Sequence, residues 1–174
     1  VFIGSEGTLG IATAITLRLL RQPEAVAVLL ADFTSMEAAG EAVRLVTAAG
    51  ILPAGMEIMD NFTIRAVDQM LEQERYPADA AAALLIELDG SSAEVELAAA
   101  STAELCRQAG ARDVQGATTS EDRARLWQGR KSAISALGRL YPSYYLPDGV
   151  VPRSALPQVP ARNDGLSRQP GPPV

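Results

Sequence analysis

Hydrophobic and polar positions divide this chain into segments of alternating period. Ala25 to Phe33 is an unbroken apolar run of the kind a central strand carries. Thr34 and Glu37 then have capping-box spacing, which predicts a helix over 36–49 that buries Ala39, Ala42, Val43 and Val46 and ends at Gly50. Pro53 to Met59 reads as a second strand. Asp60 is placed to cap a helix from Asn61 to about Gln73, with Ile64, Val67 and Leu71 facing inward. After the break at Tyr76-Pro77, Ala81 to Leu88 gives a third strand closed by Gly90. Ser91 and Glu94 form another capping box, opening a helix to Ala109 with Val95, Ala98, Thr102 and Leu105 on one face, and Gly110 ends it. Arg112 to Thr118 is a short fourth strand. Thr119 to Asp122 opens a last helix, acids at its positive end, that runs to about Leu140 before Pro142.

Strand, helix, strand, extra helix, strand, helix, strand is the order of a ferredoxin-like α+β sandwich: an antiparallel sheet with helices on one face and one helix inserted. Ahead of it, Val1 to Ile3 is apolar. Ile11, Thr13, Ile15, Leu17 and Leu19 alternate at period two, which predicts a half-buried strand. Pro23 marks a domain boundary. After Gln158 the apolar period stops, so 159–174 is expected to be a disordered tail.

Composition narrows the chemistry. The 174 residues are 48% hydrophobic and 21% charged, as in an ordinary soluble domain, and only 5% aromatic. A net charge of −6 disfavours nucleic acid as a partner. No apolar run reaches the ~18 residues of a membrane span. The single cysteine, Cys106, excludes an internal disulfide and goes with a reducing cytoplasm. Histidine is absent, which removes imidazole metal ligands, Ser-His triads and histidine bases from this chain.

Two stretches carry candidate chemistry. Gly4, Gly7 and Gly10 stand at triplet spacing with Ser5, Glu6 and Thr8 between them. Glycine permits positive φ and close backbone approach, and free amides with hydroxyls suit a phosphate or a polar cofactor edge. The pattern is neither the dinucleotide fingerprint nor a P-loop, and a glycine-rich turn joining two strands fits it equally. In the last helix Trp127, Arg130, Ile134 and Leu137 fall on one face. An arginine on an apolar stripe needs a partner, because an unpaired buried guanidinium costs several kcal/mol. Water, Glu57, Asp148 or an acidic ligand would serve.

The residues Ile3 to Ile11 resemble the segment that closes the FAD-binding domain of the vanillyl-alcohol-oxidase-type flavoproteins. Within these the resemblance is to the glycolate oxidase FAD subunit and the D-lactate or D-2-hydroxyacid dehydrogenases. Met56-Glu57-Ile58-Met59-Asp60, Leu126-Trp127-x-x-Arg130-Lys131, Tyr144-Tyr145-x-x-Asp148 and Val151-Pro152-Arg153-Ser154-x-Leu156-Pro157 extend it in order and spacing. The resemblance implies FAD as cofactor, contacted by Gly4, Ser5, Glu6, Gly7, Thr8, Leu9, Gly10 and Ile11. It implies a ferredoxin-like cap over 23–158 behind the end of a flavin domain, 1–22. It makes Arg130 the clamp for a 2-hydroxyacid carboxylate, and an iron–sulfur electron-transfer subunit a possible partner. It assigns no catalytic residue and no metal ligand here, since the family's pyrophosphate loop would precede Val1 and its histidines would follow the cap. The chain therefore reads as a truncated piece with little or no activity alone, whose tail reflects a frameshift or early end. Its rivals are a stand-alone ferredoxin-like ligand-binding or regulatory domain and a non-catalytic subunit-interaction module.

Overall fold

The structure is a computed structural model that describes residues 1–117, 119–141, 143 and 149–159. Four strands, β1 (Ala25–Phe33), β2 (Gly55–Asp60), β3 (Ala82–Gly90) and β4 (Ala111–Ala117), form one sheet in the order β2-β3-β1-β4. All three pairings are antiparallel. Helices α1 (Met36–Ala48), α2 (Asn61–Leu71), α3 (Ser92–Gln108) and α4 (Ser120–Leu140) follow the strands in turn, and a 3₁₀ turn covers Arg153–Gln158. This is the expected ferredoxin-like α+β sheet, with α2 as the inserted helix.

Local signals set most boundaries. Ser91 and Glu94 form the expected reciprocal box, with Ser91 N–H donating to Glu94 Oε2 at 3.2 Å. Asp60 caps α2 by accepting from Thr63 N–H at 2.8 Å. At α1 the cap is Ser35 rather than Thr34: Ser35 is extended and its hydroxyl accepts from Ala38 N–H at 3.1 Å. Because the helix begins at Met36, only Ser35 is in reach of the third helical amide.

Strand alternation sends side chains to two cores. Leu29, Ala31 and Phe33 of β1 and Leu84, Ile86 and Leu88 of β3 pack with Ala39, Ala42, Val43 and Cys106 of α1 and α3. Val28, Leu30, Ala83 and Leu85 pack on the other side with Ile64 and Val67 of α2 and Leu126, Ala133 and Ala136 of α4. The expectation of helices on one face holds for α1 and α3, while α2 and α4 cover the opposite face. Double coverage is why the central strands β1 and β3 are apolar at nearly every position.

Two further expectations fail. Residues 11–20 form no strand, and Ile11, Ile15, Leu17 and Leu19 are largely exposed. A half-buried strand needs a ladder partner and a face to cover, and no described strand supplies either. In α4 the buried stripe is Leu126, Gly129, Ala133 and Ala136, one residue from the predicted one, and Ile134 faces solvent. Tyr76, 4% exposed, sets this rotation. Its ring lies against Gly129, where a Cβ would stand 2.3 Å from the phenolic oxygen and 2.8 Å from ring carbons.

Sequence reasoning also passed over Asp32, buried on β1 although charged. It accepts from Arg112 Nε at 2.7 Å and from Asp113 N–H at 3.0 Å, and Arg112 reaches on to Asp79 at 2.7 Å. The bridge sits where the β1–β4 register shifts between Asp32 and Phe33.

Gly129→Ala is expected to lower unfolding free energy by about 1–2 kcal/mol in urea titration, through overpacking against Tyr76. In an open helix interior the same change would gain ~1 kcal/mol. A Tyr76→Ala background should restore that gain, and a gain in the native background would contradict the packing.

Candidate functional site

The face covered by α4 holds the one polar constellation that the sequence pointed to. Alternation along β2 puts Glu57 on this side together with Met59, and Glu87 of β3 stands across from Gly55. The two carboxylates are therefore diagonal neighbours on adjacent strands. α4 lies over them with Trp127 and Arg130, three residues apart and so on one side of the helix.

Arg130 is paired. Its Nε donates to Glu57 Oε2 at 3.0 Å, and its Nη2 lies 2.9 Å from the same oxygen. Trp127 Nε1 donates to Glu87 Oε2 at 2.5 Å, and its indole lies over Gly55. Side-chain exposures of 31% for Arg130 and 38% for Glu57 put the pair at the rim of the α4–sheet contact. An ion pair this wet contributes at most about 1 kcal/mol, so its consequence is geometric more than energetic. Of the five guanidinium N–H groups that of Nε donates to Glu57, Nη2 stands in ion-pair range of the same oxygen, and Nη1 makes no hydrogen bond among the described residues.

The backbone beneath Arg130 is fixed by Tyr76, whose hydroxyl donates to the Leu126 carbonyl at 2.6 Å. Burial pushes the Tyr76 phenol up to about 12, and the Arg130 backbone amide offsets part of that rise. Lys131 is exposed. Asp60 is a helix cap, as expected, and Cys106 is a buried core residue whose thiol burial raises to about 11. Tyr144, Tyr145 and Asp148 lie outside the described residues.

The glycine stretch is a turn. Gly4, Gly7 and Gly10 have φ of 84°, 82° and 143°, and Glu6 has 48°, so the chain reverses repeatedly through conformations that favour glycine. Ser5 N–H donates to the Phe2 carbonyl, while the Thr8 amide and hydroxyl both donate to the Ser5 carbonyl. The amides of Glu6, Gly7, Leu9 and Gly10 take no part in these bonds. The space where side chains would stand at Gly4 and Gly7 is open. Free amides beside a hydroxyl fit the polar edge of a flavin nucleotide. The structure does not bring this turn to Arg130: its hydrogen bonds close within residues 2–8, and 1–22 is almost wholly exposed.

A cavity of about 450 Å³ opens on the opposite face, beside Val43, Ile51, Met56, Ile58 and Leu156. Among the described residues no charged side chain lines it, so these offer a carboxylate nothing to pair with. Among the described residues no acidic or thiol cluster could hold a metal ion, and no helix is long and apolar enough to cross a membrane.

Residues 22–169 match the family described as FAD linked oxidases, C-terminal domain. The chain belongs to that family. It is 46% identical over 159 residues to glycolate oxidase subunit GlcD of Escherichia coli K12, and 39% identical over 156 residues to that of Bacillus subtilis. A probable mitochondrial D-lactate dehydrogenase of Danio rerio is 36% identical over 163 residues. These alignments take in 90–91% of this chain and 32–33% of the relatives, so the chain spans about a third of their length. Among solved structures an alkyldihydroxyacetonephosphate synthase superposes with a TM-score of 0.67 at 16% identity, over 95% of this chain and 35% of the other. That likeness concerns the fold. The family match continues past Gln158, and it begins at Gln22, beyond the glycine turn.

Stability should fall as pH rises through 10–12, because the unfolded phenol of Tyr76 ionises near 10 while the folded one holds its proton to about 12. The contribution is complete below pH 10 and lost above the folded value. Tyr76→Phe should flatten this pH dependence by about 2 kcal/mol in urea titrations at pH 8 and pH 11.5. An unchanged slope would show that the phenol is not held as described.

Proposed function

We propose that this chain is the substrate-capping part of an FAD-dependent oxidoreductase that acts on a small 2-hydroxyacid of the glycolate or D-lactate type. The observation that carries the reading is 46% identity to a glycolate oxidase subunit, sustained over 91% of the chain. In this reading 23–158 is the cap and 1–22 is the end of a flavin domain. Gly4, Ser5, Glu6, Gly7, Thr8, Leu9, Gly10 and Ile11 lie along the flavin nucleotide, offering backbone amides and the Thr8 hydroxyl. Support comes from amides that the turn's own bonds leave free.

Arg130 is the clamp for the substrate carboxylate. A guanidinium takes a carboxylate in a planar, two-bond grip, and Arg130 keeps the donors of Nη1 for it. Flavin supplies the hydride acceptor, and the residues of this chain bind and orient the acid so that its C2–H faces that acceptor. No residue here is assigned as the base. An iron–sulfur subunit as electron acceptor and a cytoplasmic location go with this reading, and the chain by itself is expected to turn over no substrate.

A second reading has one observation in its favour: the glycine turn bonds only within itself, as it would in a stand-alone ferredoxin-like domain that binds a metabolite without flavin.

Arg130→Lys in the FAD-loaded protein that carries this chain is expected to raise KM for glycolate or D-lactate at least ~10-fold, since lysine cannot make the planar grip. Steady-state kinetics with a dye acceptor read this. An unchanged KM would remove Arg130 from the substrate site. Thermal stabilisation of the isolated chain by a small acid without FAD would favour the second reading.

A further inference from the structure

The geometry points to Glu57 as the positioning residue for Arg130: a single carboxylate oxygen holds one edge of the guanidinium and so aims the other edge at the substrate's carboxylate. This rests on the clamp role of Arg130 set out above and adds what makes that clamp work.

Arginine ends a flexible stem, and at the rim of a helix–sheet contact it would otherwise sample many rotamers. Here both contacts from Nε and Nη2 end on Glu57 Oε2, at 3.0 and 2.9 Å. A planar group held by the Nε hydrogen bond, with Nη2 against the same oxygen, is restrained from turning about its stem. The edge that remains is Nη1 with the outer proton of Nη2, and its direction is fixed by the strand rather than by the side chain. The backbone of Glu57 is fixed by the sheet. It lies on β2 between Gly55 and Met59, in a register where Glu57 pairs with Leu85 and Gly55 with Glu87. The neighbouring rung holds the same helix a second time, through Trp127 Nε1 on Glu87 at 2.5 Å. Tyr76, on the Leu126 carbonyl, fixes the helix from a third direction. Position along α4 is thus set by Trp127 and Tyr76, which leaves Glu57 the narrower task of orienting the guanidinium. Only one oxygen of Glu57 takes part, so a carboxamide can replace the carboxylate and keep the bond.

The test uses the FAD-loaded protein that carries this chain, with Glu57→Ala, Glu57→Gln, Arg130→Ala and the double variant Glu57→Ala/Arg130→Ala assayed on glycolate and D-lactate. Glu57→Ala is expected to raise KM about 10-fold, and Glu57→Gln to return it to within about threefold of native. The double variant should be no worse than Arg130→Ala, because a residue that acts through Arg130 has nothing left to orient. The thermal unfolding midpoint of the same protein should stay close to native in Glu57→Ala, as expected for loss of a half-exposed ion pair, reporting that α4 is still seated. Additive losses in the double variant, a KM unmoved by Glu57→Ala, or no rescue by glutamine would each overturn the inference while leaving Arg130 as clamp. A KM unmoved by Arg130→Ala would overturn both together.

Discussion

At the margin where α4 lies across the sheet, a half-exposed guanidinium is met by a carboxylate rising from that sheet. The rest of this site depends on that pairing. Arg130 and Glu57 are 73 residues apart in sequence, and Trp127 and Glu87 are 40 apart. Both pairs cross from α4 to the sheet, and they come from adjacent strands in antiparallel register. The apolar stripe of α4 supplies the adhesion, through Leu126, Ala133 and Ala136. The polar pairs at its margin decide which way the half-exposed guanidinium points.

One small residue makes this arrangement possible: Gly129 admits the Tyr76 ring against the helix, while the Trp127 indole lies within van der Waals reach of Gly55 on β2. Tyr76 and Trp127 both locate α4, one by hydrogen bond to the helix backbone and one by hydrogen bond to a strand side chain. The face is rigid beneath and wet at its edge. On the proposed function, that suits a site that holds one charged group in a fixed direction.

Much of the fold was legible because its signals are local. Asp60 with Thr63, and Ser91 with Glu94, place helix starts through contacts three residues apart, and the apolar runs of β1 and β3 mark central strands. What escaped depends on distant partners. The stripe of α4 is rotated by Tyr76, which no period within the helix reveals. Asp32 sits in an apolar run because Arg112, far along the chain, neutralises it. The alternation at Ile11 to Leu19 promised a strand, and a strand exists only where another pairs with it. For Arg130 the apolar stripe showed the need for a partner, with Glu57 among the candidates, and the structure selects it. The family motifs led to Arg130, while the accompanying Trp127–Glu87 bond carried no sequence signal beyond the tryptophan itself.

The most direct measurement is a crystal structure of the FAD-loaded protein that carries this chain, soaked with oxalate as an unreactive two-carbon acid. The account predicts one oxalate carboxylate against Nη1 and Nη2 of Arg130, with Nε still donating to Glu57. Oxalate beside the flavin with Arg130 bound to Glu57 alone, or displaced from Glu57 altogether, would contradict it.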